Sequence, residues 1–273
     1  MIRRHELSDA EWEFVRPLLP ESLRGRMRLD DRRVLNGIVW KFRTGTAWRD
    51  VPDRYGPWAT LRTRFRRRAA DGTFDGMLRA AQAKADAAGD IEWLVSVDST
   101  IVRAHQHAAG ALKGGSATRP SAGLTSKIHL ACDGRGRPLA FVVTGGNTND
   151  CTRFTAVMDA IRVPRIGPGR PRTRPDHVLG DKGYSSKAIR AWLRRRGIPH
   201  TIPERADQAG NRARRGRPGG RPPAFDREVY KHRNVVERCF NRLKQWRGIA
   251  TRYDKNAQPY EAAATLTSLL MWA

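Results

Sequence analysis

Apolar positions recur along the first ninety residues at helical spacing. Leu35, Ile38, Val39 and Phe42 fall at i, i+3, i+4 and i+7, one face of a helix over residues 31–43. Trp12, Val15, Leu18 and Leu19 follow a capping box, Ser8-x-x-Glu11, and Pro20 stops that helix. Leu61 and Phe65 mark a third helix over residues 58–70, which also shows Arg62, Arg64, Arg66, Arg67 and Arg68. A fourth covers residues 74–88. Helix, turn and basic helix suggest a DNA-reading unit. The alternative is a helical bundle with a solvated basic face, because a generic helix-turn-helix pattern is unspecific.

The pattern changes at Asp90. Trp93-Leu-Val-Ser-Val97 is a short β-branched run and predicts a strand. Residues 127–133 and 138–144 predict two more, joined by the hairpin signal Gly134-Arg-Gly-Arg137. Further on come a helix over 150–161, a strand over 177–180, a helix over 185–196 and a strand over 198–202. A long helix is expected over 226–246 and another over 259–272. The order β-β-β-α-β-α-β-α predicts an α/β fold, a mixed sheet with helices on its faces. The expected organisation is an all-α, helix-turn-helix-like unit over 1–90 followed by the sheet domain over 91–273. Residues 205–224 are too rich in Arg, Gly and Pro to pack and predict a mobile basic loop.

Charge narrows the functional classes. The 273 residues carry 52 Lys+Arg against 27 Asp+Glu, a net charge of +25. Residues 160–221 hold 17 basic and 4 acidic residues, and 17 − 4 = +13 is about half of that total. Such a surface points to a polyanion, most often nucleic acid. The three cysteines form no CxxC pair, so neither a disulfide framework nor a cysteine zinc site is indicated. The first residues do not read as a signal peptide, and no apolar run is long enough to span a membrane. A cytoplasmic, nucleoid-associated protein is expected.

Acids at strand ends therefore need a reason. Asp98 ends the first strand in Val95-Ser-Val-Asp-Ser-Thr100, and Asp181 ends a later one in Val178-Leu-Gly-Asp-Lys-Gly-Tyr184. Neighbouring strand ends are where open α/β sheets bind ligands. Glu237 lies within the long helix. Carboxylates that converge repel one another unless a cation neutralises them, and Mg²⁺ is held by one or two carboxylates plus phosphates and water. Asp133, Asp150 and Asp176 compete for the second acidic position. Asp133 abuts the hairpin turn, Asp150 suits a helix cap though it could lie near the site, and Asp176 stands at the wrong end of its strand. His105 and His107 at i,i+2 make a weak metal pair. At roughly 100° per residue, with Tyr230 at zero, Arg233, Glu237 and Lys244 fall at about −60°, −20° and −40°, one narrow stripe beside the apolar face. An Arg233–Glu237 i,i+4 pair would leave Tyr230 and Lys244 unexplained.

Tyr230-x₂-Arg233-x₃-Glu237-x₆-Lys244 resembles the signature of bacterial insertion-sequence DDE transposases. Val97-Asp-Ser-Thr-Ile-Val-Arg-Ala-His105 and Gly180-Asp-Lys-Gly-Tyr184 are similar to that family's first two acidic motifs. Leu7-Ser-Asp-Ala-Glu-Trp12 and Trp48-Arg-Asp-Val-Pro52 resemble the N-terminal module of its insertion sequence five group. The resemblance covers essentially the whole chain. It implies an RNase H-like catalytic domain in which Asp98, Asp181 and Glu237 are catalytic and hold two divalent ions, Mg²⁺ with Mn²⁺ able to substitute. It also implies that Tyr230, Arg233 and Lys244 serve the DNA ends. The expected partners are double-stranded DNA, as transposon ends and target, and a second copy in the active complex. DNA contacts are expected from Arg62, Arg64, Arg66 and Arg67 of the N-terminal unit, and non-specific DNA affinity from Arg212, Arg214, Arg215 and Arg217 of the basic loop. Two metals about 3.5–4 Å apart can activate the attacking oxygen and stabilise the leaving one. A DNA-binding regulator or inactive copy, and an RNase H-like nuclease without strand transfer, remain the alternatives. In the structure the three carboxylates should meet in one cluster.

Overall fold

The computed structural model describes residues 4–20, 30–109 and 125–273. The N-terminal part is helical, with α1 (Asp9–Val15), α2 (Asp31–Thr44), α3 (Trp58–Ala70) and α4 (Thr73–Ala87). The Ser8–Glu11 capping box opens α1, and Gly45 closes α2 at φ 74°, a left-handed position that suits glycine. Then follow β1 (Leu94–Ala104), α5 (Gln106–Ala109), β2 (Thr125–Cys132), β3 (Pro138–Gly145), α6 (Asp150–Ala160), β4 (His177–Gly180) and α7 (Lys187–Arg195). The chain continues through β5 (His200–Thr201), α8 (Ala206–Arg214), α9 (Arg227–Lys231), α10 (Asn234–Lys244), α11 (Arg247–Ala250), β6 (Thr251–Arg252) and α12 (Ala257–Leu270).

The sheet runs β3-β2-β1-β4-β5, antiparallel across the first three strands and parallel from β1 to β5. It is the mixed, helix-flanked sheet that the order of strands and helices predicted. In the turn between β2 and β3, the buried Asp133 accepts the backbone N–H groups of Arg135 and Arg137 at 3.1 and 2.8 Å. It is thus a turn residue, as expected. β1 is longer than the sequence pattern predicts. Its first four residues, Leu94 to Val97, pair with β4, and the last three of these are buried, while Arg103 and Ala104 pair with β6. Residues 98–102 have β2 on one edge and neither β4 nor β6 on the other. This notch begins at Asp98.

One hydrophobic cluster runs from Leu7 to Trp272 and joins the helical part to the sheet. α12 is buried along most of its length and packs against α3, α4 and β3. Gln82 of α4 donates to the Leu139 carbonyl of β3 at 2.9 Å, and Trp272 Nε1 to that of Pro138 at 3.1 Å.

Two segments differ from expectation. Residues 205–224 contain α8 and a single 3₁₀ turn, Arg217–Gly219. The anchors of α8 are polar, which is why no apolar pattern announced it. Gln208 exchanges hydrogen bonds with the side chain and carbonyl of Ser185 at 2.6 and 2.8 Å, and Arg212 pairs with Glu204 at 2.8 Å. The long helix over 226–246 is broken. Between α9 and α10 the backbone bonds of Arg233, Val235 and Val236 reach back three residues rather than four, to Tyr230, His232 and Arg233. That is a tighter, 3₁₀-type turn. The angular reckoning from Tyr230 therefore does not carry across it, and Tyr230 and Glu237 stand on different helices.

Candidate active site

The pairing register sets the site. Val97 is the parallel partner of Gly180, so Asp98 and Asp181 are the next residues on two adjacent strands, where β4 ends and the notch opens. Asp181 turns back to accept the Gly183 N–H at 2.8 Å. Asp98 accepts its neighbour's N–H, that of Ser99, at 2.8 Å through Oδ1. Its other oxygen takes Arg233 Nη1 at 3.0 Å, and Arg233 Nη2 reaches Glu237 Oε1 at 3.3 Å. One guanidinium thus links the sheet acid to the helix acid. Asp98 is only 17% exposed, Arg233 20% and Glu237 51%. Burial pushes the Asp98 carboxyl above the usual carboxylate range; the Ser99 N–H and Arg233 oppose this, while the charges of Asp181 and Glu237 add to it. Burial works against the Arg233 cation, but Asp98 first, then Tyr230 and Glu237, outweigh it and raise its pKa.

The remaining stripe residues separate. Lys244 Nζ donates to Thr100 Oγ1 at 2.6 Å, bracing the end of α10 on the notch. Tyr230, on the α9 side of the turn, packs its ring against Phe225 in a tilted contact, centroids 5.1 Å apart. Among the described residues no three His, Cys, Asp or Glu stand close enough to hold one ion together. The Arg233 guanidinium lies between Asp98 and Glu237 and bonds both. The donor set still suits a hard divalent cation. All three groups are carboxylates, and two of them already share a positive charge.

Asp150 comes nearer than its sequence context suggested. Asn149 caps α6, and the Asp150 carboxylate accepts Ser99 Oγ at 2.7 Å and Lys127 Nζ at 3.0 Å. Side chains alternate along β1, so Asp98 and Thr100 face α10 while Ser99 faces α6. Buried His129 stands 3.5 Å from the same carboxylate through Nδ1, and its Nε2 meets Thr144 Oγ1 at 2.9 Å. Burial lowers the His129 pKa to about 4, with Asp150 opposing, so the ring is neutral at pH 7. Tyr184, which the sequence reading gave no role of its own, is buried with no hydrogen-bond partner on its hydroxyl, and burial together with Asp98, Asp150 and Asp181 pushes its pKa up. Cys151 Sγ donates to the Gly183 carbonyl at 2.7 Å, tying α6 to the Asp181 turn.

Among the basic residues, Arg62, Arg66 and Arg67 are exposed on α3, whereas Arg64 pairs with Asp31 at 3.3 Å. Arg214, Arg215 and Arg217 are exposed. Arg212 is held by Glu204, and Arg214 bonds Asn211. His105 stacks on Tyr253, centroids 5.0 Å apart, rather than joining a metal-binding group. The side chain of His107 lies outside the described residues.

Residues 90–272 match the family model described as the transposase DDE domain. The chain belongs to that family. Residues 7–78 also match a model for transposases of the IS4/5 family. A Burkholderia cepacia protein whose name gives it as a transposase for insertion sequence element IS402 is 34% identical over 148 residues, 54% of this chain and 63% of that protein. The protein y4sN of Sinorhizobium fredii is 41% identical over 122 residues, 43% of this chain and 94% of its own. The catalytic domain of Mos1 mariner transposase aligns over 76% of this chain and 90% of its own at 11% identity, with a TM-score of 0.28. Among the described residues no helix is long and apolar enough to cross a membrane.

Proposed function

We propose that this DDE-family chain binds the terminal repeats of an insertion sequence, hydrolyses phosphodiester bonds at its ends and joins the freed 3′-hydroxyl to target DNA. The observation that carries this reading is the Val97–Gly180 pairing, which leaves Asp98 and Asp181 as the next residues on adjacent strands at the notch, with Glu237 linked to Asp98 through Arg233. Asp98, Asp181 and Glu237 are the carboxylates that would hold divalent ions, Mg²⁺ or Mn²⁺, two per site. When bound, such ions activate the attacking oxygen and stabilise the leaving one. The chain's own groups do the rest. The notch admits the DNA end beside Asp98. Lys244 fixes α10 on β1, and its ammonium lies close enough to the notch to meet a phosphate. Arg233 presents a planar fork suited to phosphate, and Tyr230 a ring and hydroxyl for the terminal nucleotide. No side chain is needed as a covalent nucleophile.

Affinity comes mainly from the exposed arginines of α3 and of residues 214–217, which contact phosphates without reading sequence. The functional complex contains two copies, one for each end, acting on nucleoid DNA. The test is incubation of the full chain with Mg²⁺, a duplex ending in the element's own terminal sequence and a circular target. Cleaved ends together with target-joined products are expected. Nicking without joining would favour a nuclease, and tight binding without either product would favour a regulator or an inactive copy.

A further inference from the structure

We infer that Arg233 is the resident counter-ion of the carboxylate site: it competes with the first divalent cation for Asp98 and Glu237, and is released toward the DNA end when that cation binds. The inference rests on the proposed role of those acids as ion ligands. Its basis is geometric. The two terminal nitrogens of one guanidinium serve two different carboxylates, Asp98 Oδ2 at 3.0 Å and Glu237 Oε1 at 3.3 Å. A cation bridging these two oxygens would have to take the guanidinium's place, because both would occupy the space between them. The backbone favours the contact. Arg233 lies in the tight turn between α9 and α10, at the N-cap position of α10. Its side chain reaches the sheet, while Glu237 stands one helical turn further on.

The electrostatics give the contact a purpose. Asp98 is mostly shielded from water and lies beside two further acids, so in its ionised form it requires a neighbouring positive charge. Lys244 does not supply it, since its ammonium is turned to Thr100 and the Ile101 carbonyl. Arg233 alone among the stripe residues touches both acids. With both terminal nitrogens turned to the carboxylates, it presents less of its fork to a DNA phosphate than it would once released. Ion binding and end engagement are then coupled. The ion frees the arginine, and a phosphate that takes the arginine lowers the competition met by the ion. By linkage each favours the other to the same extent.

The test is calorimetric titration of Mn²⁺ alone, without DNA, into the full chain and into Arg233→Ala, Arg233→Met and Arg233→Lys at low ionic strength. Arg233→Met retains the aliphatic stem should Arg233→Ala fold poorly, and circular dichroism melts in a chelator report folding for each. The expected result is Mn²⁺ binding about tenfold tighter in the neutral variants, equivalent to about 1.4 kcal/mol at 25 °C. Arg233→Lys, which keeps the charge but not the fork, should fall between these and the parent chain. Mn²⁺ affinity that is unchanged or weaker in the folded neutral variants, with the parent chain still binding Mn²⁺, overturns the counter-ion role and leaves the assignment of the acids standing. Absence of Mn²⁺ binding in every protein overturns both. Binding only in the neutral variants is the strongest support, since the arginine would then exclude the ion outright.

Discussion

Asp150→Ala removes a carboxylate that ties three strand residues to α6. Ser99 Oγ donates to it at 2.7 Å and Lys127 Nζ at 3.0 Å, with His129 Nδ1 at 3.5 Å. Lys127 is 12% exposed, so its ammonium would lose its counter-ion with little water to replace it, and would keep only the Thr148 carbonyl at 2.9 Å. A hydrogen bond to a charged group contributes about 1.5–3 kcal/mol and a neutral one about 1. Asp150 is itself 35% exposed, which favours the lower part of that range. The two shortest contacts together come to about 2–3 kcal/mol. In a chain of this size each kcal/mol moves Tm by about 2–4 °C, so a fall of about 5–10 °C is expected. Asp150→Asn retains an acceptor for Ser99 and should lose about half as much.

Acidity supplies a second reading of the same variant. Burial disfavours the ionised Asp150, but its hydrogen bonds to Ser99 and Lys127 outweigh that and hold its pKa below the usual range. A depressed carboxylate pKa stabilises above the unfolded value, and the contribution is lost as pH falls through the folded value. The gap between the parent chain and Asp150→Ala should therefore narrow as pH drops below about 4. Scanning calorimetry at pH 7 and in the acid range measures both effects. A Tm shift under about 1 °C at pH 7 would refute the view that Asp150 holds β1 to α6.

Three further outcomes follow from the geometry. A methyl group on Gly183 would stand 2.7 Å from Asp181 Oδ1, so Gly183→Ala should displace that carboxylate and depress DNA cleavage while stability falls by only about 1 kcal/mol; cleavage at the parent rate would show that the position of Asp181 is immaterial. Replacing Arg214, Arg215 and Arg217 with Ala should flatten the log–log salt dependence of DNA binding by up to about 3, at about 0.9 per phosphate contact, and an unchanged slope would mark the segment as a solvated tether. His129 is neutral in the fold, with its pKa lowered from 6.5 to about 4. A depressed basic pKa makes the unfolded chain bind more protons between those values, so His129 contributes stability above pH 6.5 that is lost toward pH 4; urea titrations should show about 2 kcal/mol lost between pH 6.5 and 4.5 that His129→Asn does not lose.

Five of the six strands were legible because their period-two and apolar runs are local, and so were the strand ends that carry Asp98 and Asp181; the two-residue β6 and the second half of β1 were not. The break at His232 and Arg233 was not. Val229, Val236, Phe240 and Leu243 keep helical spacing on either side of it, so hydrophobic periodicity passes over a turn whose change lies in the backbone hydrogen bonds. That turn lets Arg233 reach Asp98, a contact across 135 positions that no local pattern encodes. The i,i+4 pairing of Arg233 with Glu237 could be read from spacing alone, and it is present. α8 escaped because Gln208 and Arg212, rather than apolar side chains, fasten it. Asp150 meets Ser99 only because α6 packs over β1 and β2.

The central claim, that Asp98, Asp181 and Glu237 together form the metal-dependent centre, is tested most directly by single Asp98→Asn, Asp181→Asn and Glu237→Gln variants. Each is assayed for Mg²⁺-dependent cleavage of DNA carrying the element's ends, with end binding measured on the same preparations. Loss of cleavage in all three, with end binding within about twofold of the parent chain, is the predicted result, since affinity should come from the basic surface rather than from these acids. Cleavage at near-parent rates by any one of them would contradict the claim for that residue.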